Sequence, residues 1–320
     1  MDIKALYNRV IGGHLITREE ALFLYKEDLR DLTRYADMIR DYFCGNQFDM
    51  CTIINGKSGL CSENCKFCAQ SSHYNTGSKV YSLLSEEEII ADAKKNADQG
   101  VMRYSIVTAG RSLSDGEVDR MCHIIRRIKE EVHISVCVSF GLLKEDQFRR
   151  LKEAGAERVH NNLEASENFF PSVCTSHSFS DKVQAIRAAQ AAGLDVCSGG
   201  IMGLGEGIED RIDMALSLRD LGIESIPVNM LNPIPGTPME KYESLDEKEM
   251  QRIIAVYRFI LPKAFIRLAG GRGLMSDKGK ACFMSGANAA ISGDMLTTAG
   301  ITVDKDKKLL EELDYMIKPL

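Results

Sequence analysis

The segment Met102-Arg103-Tyr104-Ser105-Ile106-Val107-Thr108 leads through Ser114-Asp115-Gly116-Glu117 to Val118, Met121, Cys122, Ile125 and Ile128, then to His133-Ile134-Ser135-Val136-Cys137-Val138-Ser139. The two outer pieces are short, apolar and β-branched, the pattern of buried strands. Ser114 and Glu117 have capping-box spacing, and the apolar residues after them recur at i, i+3, i+4 and i+7, which predicts a helix. Strand, helix and strand of this length make a crossover unit between parallel strands.

The alternation continues in both directions. Further strands are expected at Cys51–Asn55, Arg158–Leu163, Asp195–Ile201, Ser225–Met230, Phe265–Ala269 and Ala287–Ser292, giving eight with the two above. Capping boxes open helices at Thr17 to Glu20 and Ser85 to Glu88, and helical patterns fit Arg30–Phe43, Lys144–Ala154, Asp181–Ala192, Glu209–Leu221, Glu247–Leu261, Ser276–Met284 and Asp304–Ile317. Gly155, Gly193 and Gly222 sit where a helix must stop before a strand. The expected fold class is α/β, a (β/α)8 TIM-type barrel: residues 1–50 form an N-terminal helical extension, 51–300 the barrel, and 301–320 a C-terminal helix and tail against the barrel bottom. An open doubly wound sheet fits less well, because no G-x-G-x-x-G follows Cys51–Asn55. A barrel places its chemistry at the C-terminal ends of the strands.

Composition narrows the function. The 320 residues carry 40 Lys+Arg against 46 Asp+Glu, a net charge of −6, with 44% hydrophobic and 27% charged residues. That balance excludes disorder, and the lack of a basic stripe argues against nucleic-acid binding. Apolar runs such as Ala188 to Leu194 are too short to span a membrane, and Met1-Asp2-Ile3-Lys4 shows no apolar signal core, so a cytoplasmic location is expected. Ten cysteines in a reducing compartment then need a use other than disulfides.

Three of them are grouped: Cys61-Ser62-Glu63-Asn64-Cys65-Lys66-Phe67-Cys68 follows the first strand. The C-x3-C-x2-C spacing offers three thiolates on one loop, too few to close a tetrahedral zinc site but matched to three corners of a [4Fe–4S] cube. The competing reading is a zinc loop completed by a distant residue such as His73.

This loop resembles the signature of the radical S-adenosylmethionine (SAM) superfamily. Several further segments resemble the biotin synthase family within it: Ala69-Gln70-Ser71-Ser72, Tyr74-Asn75-Thr76-Gly77, Val196-Cys197-Ser198-Gly199-Gly200-Ile201-Met202-Gly203-Leu204-Gly205-Glu206, Val228-Asn229-Met230-Leu231, Arg267-Leu268-Ala269-Gly270-Gly271-Arg272, and Cys282 to Asn288. The resemblance covers roughly Phe48 to Thr298. It implies a [4Fe–4S] cluster on Cys61, Cys65 and Cys68, with SAM on the open iron. It also implies cleavage of SAM to a 5′-deoxyadenosyl radical, and insertion of sulfur into dethiobiotin to form biotin. No side chain is expected to act as acid or base. Implied SAM contacts are Phe67, Asn162, Glu164 (often Asp in the family), Lys182 (commonly Arg), Ile201 and Leu204. Implied substrate contacts are the amides of Asn162 and Asn229, which suit a ureido ring, and the backbone at Thr297 and Thr298.

The family also implies an auxiliary iron–sulfur cluster that supplies the sulfur, held by one cysteine from each of three strands and an arginine. Cys137, Cys197 and Arg267 match; the second-strand position is Ser105. Cys51 shares a strand face with Ile53 and Asn55, and a barrel interior brings first-strand side chains beside those of the second and eighth strands. Cys51 is therefore the expected replacement ligand. The cluster is then either [2Fe–2S] or a four-iron form carrying an extra sulfide.

A low-potential electron donor of flavodoxin or ferredoxin type and a homodimer are expected partners. Two other readings compete: a different radical-SAM barrel enzyme, of hydrogenase-maturation or methylornithine-forming type, and an iron–sulfur scaffold without catalysis. Cys44, Cys122, Cys174 and Cys282 receive no role. His14, His123, His133 and His177 read as surface or satisfied residues, while His73 and His160 lie near the proposed sites with nothing requiring them.

Overall fold

The structure is a computed structural model that describes residues 2–318; Met1, Pro319 and Leu320, the last two at the end of the expected tail, lie outside the described residues. The elements run α1 (Ile3–Ile11), α2 (Arg18–Tyr25), α3 (Leu29–Cys44), β1 (Gln47–Lys57), α4 (Glu86–Asp98), β2 (Arg103–Thr108), α5 (Asp115–Glu131), β3 (Ser135–Ser139), α6 (Glu145–Glu153), β4 (Arg158–His160), α7 (Phe170–Val173) and α8 (Phe179–Ala191). They continue with β5 (Asp195–Cys197), β6 (Gly200–Met202), α9 (Ile208–Asp220), β7 (Ser225–Met230), α10 (Glu247–Ile260), β8 (Phe265–Leu268), α11 (Lys280–Phe283), β9 (Ala289–Ser292), α12 (Val303–Glu312) and β10 (Met316–Ile317). The strands pair in parallel around a ring, and β9 returns to β1 to close it, so the chain is a (β/α)8 barrel. The expected capping boxes form at Thr17, Ser85 and Ser114, each hydroxyl accepting from the N–H three residues on.

Register separates the two faces of the wall. Cys51 pairs with Arg103, Ser105 with Cys137, Cys137 with Arg158, His160 with Cys197, and Arg267 with Ala289, and partners in a parallel ladder share a face. The inward face is thus rich in Arg, Ser, His and Cys. The alternate residues, such as Tyr104, Ile106, Val136, Val138, Val159, Ile226 and Ile266, are buried in the apolar layer beneath the helices. A packed TIM barrel fills its interior with branched aliphatics; this one turns polar and sulfur-bearing side chains inward.

Some expected elements change for local reasons. The fifth strand breaks at Ser198-Gly199 into β5 and β6, where a Cβ on Gly199 would lie 1.9 Å from the Pro227 carbonyl oxygen. The helix expected over Ser276–Met284 shrinks to α11, because Lys278 and Gly279 have φ of 57° and 89° and Asp277 caps the N–H groups of Gly279 and Ala281. The helix expected over Asp304–Ile317 ends as α12 before Asp314, at φ 57°, and β10 then pairs with Gln47 and Phe48 at the start of β1. Within α12, Asp306 accepts from Ser292 at the end of β9 and Lys307 donates to the Gln99 carbonyl, and β10 brings the tail to the start of β1. The N-terminal helices pack outside as well, α3 on α10 and α2 on α9.

Asp306 anchors α12. Its carboxylate takes Arg272 Nη1 at 2.9 Å and Nη2 at 2.6 Å, and also accepts from Ser292, with both charged side chains 3% exposed. Removing one partner leaves a buried charge uncompensated. Asp306→Ala is expected to lower unfolding stability by about 3–5 kcal/mol, read as a lower denaturant midpoint for the full chain.

Candidate functional site

One cavity of about 400 Å³ opens inside the barrel, and its wall includes all three cysteines of the loop together with Cys51, Cys137 and Cys197. The loop is set by its own backbone. Cys61 N donates to Gln70 O at 2.9 Å, Ser72 N to Cys61 O at 2.8 Å, and Cys68 N to Cys65 O at 3.0 Å. Ser71 Oγ donates to Glu63 O at 2.7 Å, and Gln70 Oε1 accepts from Gly59 N at 3.2 Å. Three thiols on a pre-shaped loop at the C-terminal end of β1 fit a cubane with one corner left open. His73 turns its Nε2 to the Ser62 carbonyl at 3.0 Å and is exposed, so it does not complete a zinc site with them.

A second loop clamps the first. Asn64 Oδ1 accepts from Thr175 N and Ser176 N at 2.9 and 3.0 Å, and Lys66 N donates to Val173 O at 3.0 Å. Buried Glu63 accepts from Ser176 Oγ and lies against His177 Nδ1. Cys174, read from sequence as having no role, is buried with Sγ 3.6 Å from Cys65 Sγ and 3.3 Å from His177 Nδ1. The hydrogen bond from Cys65, with help from His177 and Ser176, brings the Cys174 thiol down, while the same contact and burial push Cys65 up. No spacing pattern links Cys174 to the C-x3-C-x2-C loop, because the contact crosses 109 residues.

Deeper in the barrel lies the second group. Cys51, Cys137 and Cys197 are all buried, and Arg267 Nη1 donates to Cys51 Sγ at 3.2 Å. Ser105 lies in register with Cys137, and Ser225 Oγ donates to Cys197 Sγ at 3.2 Å. Burial raises the Cys137 thiol to about 12. At Cys197 burial also pushes upward, but the His160 hydrogen bond and charge, with Arg267 and Arg158, outweigh it and bring the thiol to about 6.

The floor is ionic. Asp49 Oδ2 lies 2.6 Å from Arg267 Nη2, 3.5 Å from Arg158 Nη1 and 3.8 Å from Arg103 Nε. Burial opposes ionisation of Asp49, yet the three guanidiniums hold its carboxyl below the usual range. Arg103 Nε, Arg158 Nε and Arg267 Nε are buried without a hydrogen-bond partner, although all three arginines line the cavity. Three cations against one carboxylate, with donors to spare, suit an anionic thiolate-ligated cluster. Sequence reading missed Arg103, Arg158 and Asp49; their signal was an ionic side chain at the inward parity of strands whose outward residues are apolar.

The remaining expected site residues also converge. Phe67, Asn162, Glu164, Lys182, Ile201, Asn229, Thr297 and Thr298 line the same cavity. Leu204 does not. It is 2% exposed and belongs to an apolar cluster with Ala165, Val173, Leu231 and Met239, packing behind Phe67 and Ile201; Gly203, at φ 95°, turns the chain away from the cavity before it. Glu164 holds a left-handed φ of 69°, and burial raises its carboxyl against the pull of Lys182 and His160. Asn162 Oδ1 accepts from Gly199 N at 3.1 Å, leaving Nδ2 shared with Glu164 at 3.3 Å. Asn229 is half spent: Nδ2 donates to Gly200 O at 3.0 Å and Oδ1 accepts from Gly270 N at 2.8 Å, which leaves one hydrogen and one lone pair. Lys182 Nζ donates to Asn161 Oδ1 at 3.2 Å.

Comparison with known proteins places the chain in a family. A Radical SAM superfamily model matches residues 57–218, and a Biotin and Thiamin Synthesis associated domain matches residues 227–316. A biotin synthase of Brachyspira hyodysenteriae is 59% identical over 318 residues, covering 99% of this chain and 96% of the relative. One from Akkermansia muciniphila is 54% identical over 314 residues, covering 98% of each. Among solved structures, a methylornithine synthase superposes with a TM-score of 0.83 at 22% identity over 98% of this chain and 97% of its own. A maturase of the [FeFe]-hydrogenase reaches 0.83 at 17% identity over 99% and 75%. Those two likenesses are of fold alone. End-to-end identity above one half is another matter, and on it the chain belongs to the biotin synthase family of the radical SAM superfamily.

Proposed function

We propose that this chain forms biotin from dethiobiotin by radical insertion of sulfur, and that the whole reaction takes place in the one barrel cavity. The observation that carries this reading is the opening of two separate sets of three cysteines onto that cavity, with the substrate amides on the same wall. When bound, a reduced [4Fe–4S] cluster with SAM supplies the 5′-deoxyadenosyl radical and an auxiliary iron–sulfur cluster supplies the sulfur.

Cys61, Cys65 and Cys68 hold the first cluster in this proposal. Cys51, Cys137 and Cys197 hold the second, with Arg267 beside them as the fourth group. The surplus of positive charge from Arg103, Arg158 and Arg267 over Asp49 fits a two-iron cluster, and it fits a four-iron cluster with an extra sulfide at least as well, because added sulfide adds negative charge. Phe67 and Ile201 face the adenine, with Leu204 supporting them from behind. Glu164 accepts from the ribose hydroxyls, with the Asn162 amide next to it. Lys182 offers one ammonium to the SAM carboxylate without the fork that an arginine brings. The free hydrogen and lone pair on Asn229, with Asn162, read the urea of dethiobiotin, and the backbone of Thr297 and Thr298 holds its carboxylate. These residues bind, orient and exclude water; none needs to move a proton.

In this reading α1–α3 serve as an outer buttress, the catalytic barrel opens with β1 at Gln47 rather than at the expected residue 51, so that Asp49 belongs to it, and α12 with β10 flanks the barrel. A flavodoxin- or ferredoxin-type donor in the cytoplasm reduces the enzyme, which works as a homodimer. No helix among the described residues is long and apolar enough to cross a membrane.

Anaerobic incubation with SAM, a low-potential reductant and dethiobiotin is expected to yield biotin and 5′-deoxyadenosine together. Deoxyadenosine without biotin would point to a different radical-SAM substrate, and neither product would point to a scaffold. Cys51→Ala is expected to keep SAM cleavage but lose biotin formation and the iron and sulfide of the second cluster, measured by metal analysis and Mössbauer spectra. A full second cluster in that variant would leave Cys51 a core residue. Glu164 can accept from both ribose hydroxyls, with both oxygens free as acceptors, only when ionised, and its carboxyl sits above the ordinary range. SAM binding is therefore expected to weaken as pH falls toward that raised value, earlier than for an ordinary carboxylate. Glu164→Gln should flatten the pH profile and raise the KM for SAM about tenfold or more, the scale of a charged hydrogen bond of ~1.5–3 kcal/mol.

A further inference from the structure

Cys174 lies outside the cavity wall and approaches Cys65 from the side of the clamping loop. Both loops are held for this contact. Asn64 sits one residue from Cys65 and bonds five groups of the other loop: its Oδ1 accepts from Thr175 N, Ser176 N and Cys174 Sγ, its Nδ2 donates to Thr175 Oγ1 at 2.6 Å, and its backbone N donates to Ser176 Oγ at 3.0 Å. Glu63 bonds Ser176 and His177 from the same strip of backbone. Cys174 Sγ is positioned by His177 Nδ1 at 3.3 Å and Ser176 Oγ at 3.4 Å. The two sulfurs stand 3.6 Å apart, so a small rotation of two side chains brings them to the roughly 2.05 Å of an S–S bond.

We propose that Cys65 and Cys174 form a reversible disulfide once the radical-generating cluster has been lost to oxidation. Cys65 is only partly buried, and without iron its thiol meets oxidants at the cavity mouth. A hydroperoxide oxidises Cys65 to the sulfenic acid and is itself reduced, releasing water or the corresponding alcohol. Cys174 Sγ then attacks that sulfur; the S–S bond forms, the S–O bond breaks, and hydroxide leaves and takes up the thiol proton to become water. In sum two thiols lose two electrons and two protons to the hydroperoxide. The disulfide stops Cys65 before the sulfinic and sulfonic stages, which no dithiol reverses. A dithiol reductant returns both thiols and frees Cys65 for a new cluster.

The test uses the full-length chain, exposed to hydrogen peroxide after anaerobic purification, with peptide mapping under non-reducing conditions. The parent protein is expected to show one peptide joining Cys65 to Cys174, lost on treatment with dithiothreitol, and to recover its iron after addition of ferrous iron and sulfide. Cys174→Ser should start with the parent's iron content, form no such peptide, accumulate sulfinic and sulfonic Cys65, and recover several-fold less iron. Cys174→Ala serves as a second variant should the serine perturb the loop, and the parent's map decides the matter without either. Finding Cys65 overoxidised, or joined to Cys61 or Cys68, with Cys174 free in the parent would overturn the proposal. None of these readouts depends on biotin formation, so they stand apart from the test of the reaction itself.

Discussion

Asp49, with no exposed surface, sits among Arg103, Arg158 and Arg267 at the base of the barrel, and the character of the interior depends on that cluster. Taking four charges out of water costs several kcal/mol per ion even after relaxation, and pairing recovers this only with good geometry. One carboxylate cannot satisfy three guanidiniums, so each keeps a buried nitrogen without a partner, and Arg267 also donates to Cys51 Sγ. A floor of this kind is a poor way to stabilise an empty barrel, and a good way to hold an anionic group deep inside one. The apolar work of folding is moved to the outer face of the strands, where Ile, Val and Leu meet the helices. Thiols, arginines and amides can then face inward at every second residue without loss of the core.

Much of the architecture was legible because it follows local rules. The alternation of strands and helices, the capping boxes at Thr17, Ser85 and Ser114, and the position of the three-cysteine loop after the first strand all depend on neighbours in sequence. Where the reading failed, a local pattern met a backbone constraint that the pattern does not encode. Ser276–Met284 has helical spacing, but consecutive left-handed residues at Lys278 and Gly279 leave only its second half helical. The fifth strand reads as continuous, yet Gly199 must pass close to the Pro227 carbonyl and the ladder breaks there.

The site divides in the same way. Inward parity on β1 was enough to bring Cys51 toward Cys137 and Cys197, because the strand period is two and a barrel has one inside. Leu204 was taken for a wall residue since it follows Ile201 in the motif; the turn at Gly203 sends it behind the wall instead. Cys174 could not be found at all from spacing. Its significance depends on two loops from opposite ends of the first half-barrel meeting through Asn64 and Glu63, and neither residue carries a signature for that contact.

The pairing of Met316 and Ile317 with Gln47 and Phe48 bears on when this protein can mature. The first strand finds β2 on one edge early, yet its other edge waits for β9 and β10, which come much later in the chain. At ordinary elongation rates that interval is on the order of tens of seconds. Throughout it Cys51 lies on an unfinished wall, whereas Cys61, Cys65 and Cys68 are already within one loop of each other. The two groups of cysteines therefore come together at different times: the loop holds its three within a few residues of one another, but the inner three share one interior only after β9 has closed the ring.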